Sequence, residues 1–351
     1  MTIGESGIMQ TDRMAEPVMM DVARLAGVSH QTVSRVINDH PNVSEATRQR
    51  VLAAVVALGF RPNRAARSLV TGRTEVVGVV TQRSTLFGPA SVLEALELAA
   101  ALSGLTVNVA NLRALDRASI TDAVNGLLDQ HVRGIVVIAP VVGAAEAVAR
   151  LPHRVPIVMI DGDPGGAMPL VTVDQEEGAR LATQHLLDAG HATVWHVAGP
   201  KEWFDAASRL EGWRLTLQAA GAEVPPVIAA DWSAASGYDA GLMLARMPEV
   251  SAIFAANDHQ ALGLLRALSE RGRRVPQDVS VVGFDDVPEA SYFLPPLTTI
   301  RPDFDEVARS ALRLLLEPAD ADGPAPARAS VAPTLVTRNS VAAPSLEPLK
   351  R

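Results

Sequence analysis

The 351-residue chain is too long for one ordinary domain, and its 48% hydrophobic and 20% charged composition is that of a folded globular protein, so two or three domains are expected. It contains no cysteine, which excludes disulfide scaffolds, Cys-ligated zinc, iron–sulfur clusters and thiol nucleophiles together. The net charge of −8 is unevenly spread: residues 1–17 carry −2, residues 18–73 carry +5 (eight arginines against Asp21, Asp39 and Glu45), and residues 74–351 carry −11. A small basic head on a large acidic body suggests a polyanion-binding module joined to a unit with another job. No apolar run reaches the roughly 18 residues of a membrane helix. The first twenty residues also lack the basic start and apolar block of a secretory signal. A cytoplasmic protein with no membrane partner is the expectation.

In chain order, residues 1–17 read as a disordered tail. Residues 20–27 (MDVARLAG) place Val22, Leu25 and Ala26 at helical spacing and stop at Gly27, which suits a left-handed cap. Ser29 is a good N-cap for a second short helix, HQTVSRVIN, with Val33, Val36 and Ile37 on one side and polar residues on the other. Ser44 can cap a third helix, EATRQRVLAAVVALG, whose inner face is expected to hold Val51, Leu52, Val55 and Leu58. Val18 or Met19 stands at the N-cap of the first helix without a capping side chain, a loss of about 1 kcal/mol.

Two short helices joined by a Gly-containing turn, the second opening with polar side chains, is the layout whose second helix enters the DNA major groove. DVARLAGVSHQTVSRVINDHPNVSEATRQRV, followed by LGFRPNRAARSLVTGRT, closely resembles the DNA-binding head and hinge of the lac-repressor family of bacterial transcription factors. The resemblance implies a head over residues 18–62 and a hinge helix over 63–73. It assigns base reading to His30, Gln31 and Arg35. The chemistry agrees for two of them, because Arg pairs bidentately with guanine and Gln with adenine. Ser29, Thr32, Ser34, Asn38, Asn42, Ser44 and Thr47 offer hydroxyls, amides and helix N-termini suited to phosphates. The same polar residues on an isolated segment would read as a solvated helix face and its caps. In the hinge, the resemblance implies roles for Asn63 and Ala66 and makes Leu69 a minor-groove wedge. The segment is too short to be a stable helix alone in water.

From residue 75 short β-branched runs alternate with amphipathic stretches: 75–81, 106–111, 134–140, 155–161, 171–174, 193–199, 227–232, 252–258 and 279–286. Alternation of this kind implies parallel sheets covered by helices on both faces, with ligand sites beyond the carboxyl ends of strands. About 275 residues is long for one sheet, so two doubly wound parallel-sheet sub-domains with a cleft between them are expected. The resemblance continues here: the core is similar to the periplasmic-binding-protein-like fold carried by the same family. Sub-domain 1 is placed at about 74–173 and 299–330, and sub-domain 2 at about 174–298 and 331–343, with LTTIRPDF (297–304) crossing back. Residues 344–351 read as a tail. The family's tetramer-forming leucine-heptad helix is not expected there, so a homodimer is.

Strand ends supply candidate ligand groups: Asp161, Asn257 with Asp258, and Asp285 with Asp286. The resemblance assigns sugar-hydroxyl binding to Asp161, Arg209, Asn257 and Asp285. It gives ring packing to Trp232 and Phe304, and a wall from the first sub-domain to Leu86, Gly88 and Pro89. Carboxylate, amide and guanidinium groups grip vicinal hydroxyls, and an aromatic ring covers the apolar face of a pyranose. Asp205 and Gln82 occupy pocket positions where the family's namesake has smaller serines, so its particular galactoside does not carry over. Asp258 and Asp286 read as caps or inter-strand partners.

No nucleotide-binding glycine loop, nucleophile elbow or zinc-protease motif is present, and the eight histidines are scattered. Neither an enzyme, a cofactor nor a metal is expected. The expected function is a sequence-specific repressor that binds a pseudo-palindromic operator and is released by a small, galactoside-like saccharide. The alternatives are a co-repressor-dependent regulator, a solute-binding protein of transport, and a sugar-modifying enzyme on the same kind of fold.

Overall fold

A computed structural model describes residues 17–38, 40–60, 74–82, 86–114, 116–139, 141, 144–150, 155–162, 166, 168–317 and 327–344. The chain divides into two compact units between Thr74 and Glu75.

The first unit contains α1 (Met19–Ala26), α2 (His30–Ile37) and α3 (Glu45–Leu58). Gly27, at φ 64°, closes α1 in the left-handed conformation that glycine adopts without a Cβ penalty. The Ser29 hydroxyl then accepts the Thr32 N–H at 3.2 Å and opens α2; Ser44 does the same for α3 through Thr47 at 3.4 Å. The missing cap on α1 is partly made good, because the Asp21 carboxylate accepts the Val18 N–H at 3.0 Å. Val22, Val33, Val36, Val51, Ala54 and Phe60 form the core. Leu25 and Leu52 do not join it: they are 56% and 43% exposed, while Ala23 and Ala54 are buried. The helices meet along their alanines, and small side chains let the backbones approach where a leucine would hold them apart.

The second unit holds two sheets, each of six strands among the described residues. The first runs β11 (Arg328–Val331), β5 (Leu170–Val173), β4 (Ile157–Ile160), β3 (Gly134–Ile138), β1 (Val76–Gln82), β2 (Thr106–Leu112), parallel throughout. The second runs β12 (Thr334–Val336), β10 (Thr298–Arg301), β9 (Ser280–Phe284), β8 (Ala252–Ala255), β6 (Trp195–Ala198), β7 (Ile228–Ala229), with only β12 antiparallel.

Each sheet is covered twice, and the period-2 alternation of its strands decides what lies on which face. In the first sheet Val136 and Ile138 pack under α4 (Phe87–Leu102) and α11 (Phe304–Leu316). Their neighbours Ile135 and Val137 pack under α5 (Arg117–Asp129) and α6 (Ala144–Ala149). In the second, Phe254, Val282 and Phe284 face α7 (Gln175–Asp188) and α8 (Phe204–Ala219), and Ile253, Ala255 and Val281 face α9 (Ala234–Leu244) and α10 (Asp258–Glu270). Each such fully buried side chain stabilises by roughly 1.5–3 kcal/mol, which lets a cysteine-free chain hold together. Helices α9 and α10 touch backbone to backbone: a Cβ on Gly263 would overlap the Ala234 carbonyl.

Three connections join the sub-domains: Asp174 between β5 and α7, Pro302-Asp303 between β10 and α11, and Ala332-Pro333 between β11 and β12. The sequence reading placed the last two switches near 299 and 331. Instead Thr298–Ile300 still pair with β9 and Val331 still pairs with Val173, so each crossing falls just beyond, at a proline-containing dipeptide that cannot extend a ladder.

Candidate functional site

On α2, His30, Gln31 and Arg35 are exposed, as are Ser29, Asn38, Asn42 and Ser44, while Thr32, Ser34 and Thr47 are half-buried. Part of the polar set is occupied locally. Ser29 and Thr32 share a 2.9 Å hydroxyl contact, Asn38 Nδ2 donates to Ser34 Oγ at 3.4 Å, and the Asn42 N–H donates to His40 Nδ1 at 3.3 Å. None of these engages the three base-reading candidates. Asn63, Ala66 and Leu69 lie outside the described residues.

The second constellation forms where strand ends of both sheets converge. Asp161 follows β4 at φ 51° and Asp285 follows β9 at φ 104°. Left-handed backbone is costly for a residue with a Cβ, though aspartate tolerates it best, and such conformations cluster at functional sites. Both side chains are buried. Arg209, on the second turn of α8 and 5% exposed, pairs with the second of these carboxylates. Its Nε donates to Gln175 Oε1 at 2.8 Å, its Nη1 to the Ala256 carbonyl, and its Nη2 to Asp285 Oδ1 at 3.5 Å. The guanidinium carbon stands 3.6 Å from the Phe284 ring centre and 5.5 Å from that of Trp232. One turn further along α8, buried Trp213 donates its indole N–H to the Val194 carbonyl at 2.8 Å and anchors the helix that carries Arg209.

Burial dominates the electrostatics. It pushes Asp161 up to about 6, against the lowering effects of the Thr172 hydroxyl at 3.0 Å and of Arg209. Asp285 also rises to about 6 through burial, opposed chiefly by Arg209 and then by His259. Asp205, in the first turn of α8, is raised well above the usual carboxylate range by burial and by the negative charge of Asp161.

Asn257 has a structural task as well: Oδ1 accepts the Gln260 N–H at 2.9 Å and caps α10, while Nδ2 donates to the Trp232 carbonyl at 3.1 Å. Among the described residues one of its amide N–H groups and one lone pair stay unused. Trp232 is held against Gly199, where any Cβ would overlap the indole, and its buried Nε1 has no partner among the described residues. Leu86 packs from the first sub-domain onto the cluster of Trp232, Ala206 and Ala256. Gly88, Pro89 and Gln82 are half-buried on the same side, and Phe304 meets Phe87 edge-on at 6.1 Å. Sequence reasoning missed Gln175, Trp203 and Phe87. Trp203 meets Trp232 edge-on at 5.6 Å, and its backbone bridges to Val141 of the first sub-domain. Phe87 packs on the second sub-domain's core. Gln175, two residues past the strand LVTV, carried the one usable signal, a polar residue close to a strand end.

Asp258 and Asp286 stand apart from the cleft chemistry. Asp258 accepts from the Thr299 hydroxyl at 2.6 Å and the Val287 N–H at 2.9 Å; Asp286 pairs with Arg301 at 2.5 Å and Arg338 at 2.6 Å. Among the described residues no group of three His, Cys, Asp or Glu is placed to hold a metal, and no helix is long and apolar enough to cross a membrane.

A helix-turn-helix with an exposed polar second helix, followed by a two-lobed core with a charged and aromatic cleft, defines a DNA-binding transcriptional regulator with a ligand-binding domain. Residues 18–63 match the model of bacterial regulatory proteins of the lacI family, and residues 183–341 match a periplasmic binding protein-like domain. The chain is 35% identical over 308 residues to the lactose operon repressor of Escherichia coli (strain K12), covering 87% of this chain and 85% of that one. The structure of the lac repressor dimer bound to operator and the anti-inducer ONPF superposes with a TM-score of 0.82 at 32% identity, covering 93% and 99% of the two chains. A complex of the transcriptional regulator CelR with cellobiose gives 0.67 at 33% identity, covering 92% and 99%. The protein belongs to the lacI family of bacterial transcription regulators and is not an enzyme.

Proposed function

We propose that this regulator is a cytoplasmic homodimeric repressor that reads a pseudo-palindromic operator with His30, Gln31 and Arg35 and is released by a small saccharide held in the cleft. The observation that carries the saccharide reading is buried Arg209 paired with the carboxylate of Asp285 beside the Phe284 and Trp232 rings. Ionised carboxylates accept hydroxyl protons, the guanidinium donates to hydroxyl oxygens, and an indole covers an apolar sugar face. The repressor named in the lac complex and the cellobiose named in the CelR complex agree with this class and leave the particular sugar open. Leu98 and Leu102 on α4, 58% and 83% exposed, supply an apolar surface suited to a second copy.

Release follows from linkage: a ligand that prefers the core arrangement unfavourable to operator binding weakens that binding by the same coupling, typically 1–3 kcal/mol. The test is operator binding by the full chain with and without mono- and disaccharides. A saccharide that binds the core and leaves operator affinity unchanged contradicts the reading, and one that strengthens operator binding makes the protein a co-repressor-dependent regulator.

A further inference from the structure

We propose that Asp286 is the positioning residue that links saccharide binding to operator release: its carboxylate clamps the chain beside two of the three crossings between sub-domains, directly behind the aspartate that meets Arg209. This rests on the reading that the cleft is the effector site and names the part that carries its signal. Asp285 and Asp286 are consecutive, and both hold left-handed backbone, at φ 104° and 50°. Two costly conformations in succession leave the turn few alternatives in which to absorb a shift. The turn is also pinned on both sides. The Asp285 N–H donates to the Ile300 carbonyl at 2.8 Å, and the Val287 N–H donates to Asp258 Oδ2 at 2.9 Å. The two aspartate side chains serve different parts of the chain: Asp285 Oδ1 accepts from Arg209 Nη2 at 3.5 Å, whereas Asp286 Oδ2 accepts from Arg301 Nε at 2.5 Å and Oδ1 from Arg338 Nη2 at 2.6 Å.

Both arginines sit where the chain changes sub-domain. Arg301 ends β10, immediately before the Pro302-Asp303 crossing, and it pairs in the antiparallel ladder with Thr334, the first residue past the Ala332-Pro333 crossing. Arg338 lies two residues beyond β12; its N–H donates to Thr298 Oγ1 at 2.9 Å and its Nη1 to the Leu297 carbonyl at 2.7 Å, which fastens it to the start of β10. The remaining crossing is tied to the same region, because the Asp174 N–H donates to the Val331 carbonyl at 2.9 Å. The Asp286 side chain is 7% exposed, so its two charge-assisted bonds are short, shielded and geometrically demanding. Rotation of one sub-domain on the other has to bend the chain at these crossings. A ligand that shifts Asp285 or its Arg209 partner therefore moves Asp286, and Asp286 passes the shift to residues flanking two crossings at once.

The experiment uses the full chain and an operator that the parent selects from random DNA. Operator affinity is measured with and without glucose, galactose, lactose and cellobiose, and the ratio of the two is the coupling factor; saccharide affinity without DNA is read by tryptophan fluorescence. Asp286→Asn keeps the size and removes the charge. Arg301→Gln removes one clamping cation, and Arg301→Lys retains it. Asp286→Asn and Arg301→Gln should each reduce a parent factor of about 100 to about 10 or less, with saccharide affinity without DNA within about threefold of the parent. Arg301→Lys should restore most of the factor. The double variant Asp286→Asn, Arg301→Gln should lose no more than Asp286→Asn alone, because both changes open one clamp. Arg301 is 56% exposed, so its variants stay folded and keep the test decisive even where Asp286→Asn melts early. A merely structural Asp286 would lower the melting temperature and leave the coupling factor unchanged, and that result overturns the proposal. So does a factor lost only together with saccharide affinity. A parent that binds a saccharide without any change in operator affinity contradicts the repressor reading itself and removes this proposal with it.

Discussion

Arg209 Nη2 and Asp285 Oδ1 meet at 3.5 Å inside the cleft, and the same guanidinium stacks over Phe284, the residue immediately before Asp285. One strand end therefore supplies both the counter-ion and the platform for the cation. Buried pairs of this kind add little net stability but are expensive to break from one side, by about 3–5 kcal/mol, because the remaining charge is left unpaired. Asp285→Ala should strand Arg209, abolish the sugar response and lower the melting temperature. Asp285→Asn, which keeps an acceptor beside the guanidinium, should remain folded with a weakened response. Equal sugar response in Asp285→Asn and parent would place the ligand elsewhere.

Arg35 is exposed on the second helix of the head. Arg35→Ala should cost about 1–3 kcal/mol of operator affinity and relax specificity at one base pair. An equal loss on operator and random DNA would make Arg35 a phosphate contact instead.

His196 is fully buried between Phe254, at 4.7 Å, and Trp213, at 5.4 Å, and makes a 3.0 Å hydrogen bond to the Phe254 carbonyl. Burial lowers its pKa from 6.5 to about 4. A depressed histidine contributes stability that is fully present above pH 6.5 and is lost as pH falls towards 4, because the unfolded chain takes up a proton that the native state refuses. Asp161 and Asp285, raised from 3.8 to about 6, act the other way: they favour the native state below pH 4, and that contribution is lost as pH rises through 6. His196→Gln removes only the first effect. The stability gap between parent and variant should narrow by roughly 2–3 kcal/mol between pH 7 and 4.5 in urea unfolding. Parallel pH profiles would mean that His196 is not the proton-refusing group.

Two glycines separate packing from helix propensity. A Cβ on Gly126 of α5 meets nothing, so Gly126→Ala should stabilise by about 0.5–1 kcal/mol. A Cβ on Gly263 runs into the α9 backbone, so Gly263→Ala should destabilise by about 1–3 kcal/mol despite alanine's better propensity. Melting temperatures moving in the same direction would contradict the backbone contact between α9 and α10.

Much of this was legible in the sequence because local chemistry carries it. Ser29, Gly27 and Ser44 mark helix ends whatever surrounds them, and β-branched runs such as GIVVI and VVGVV suit strands covered on both faces, the usual state of a parallel sheet. Leu25 and Leu52 were misplaced because helical spacing finds the apolar side but not whether a leucine or a neighbouring alanine lies at the closest approach. The crossings at 302–303 and 332–333 depend on which partner β10 and β11 find, which their own residues do not encode. The cleft was read through the resemblance at Asp161, Arg209 and Asp285. Gln175 escaped because it meets Arg209 across 34 positions of sequence, where no local pattern reaches.

The central claim is that a saccharide in the cleft weakens operator binding. It is tested most directly by titrating the four-tryptophan chain with the saccharide panel while following intrinsic fluorescence, then repeating each titration with operator DNA bound. Trp232 and Trp203 line the site, so an occupied cleft should change the emission. The account predicts one saccharide whose apparent affinity is 5- to 150-fold weaker with operator present, and which weakens operator binding by the same factor. A saccharide that binds equally well with and without operator would contradict it.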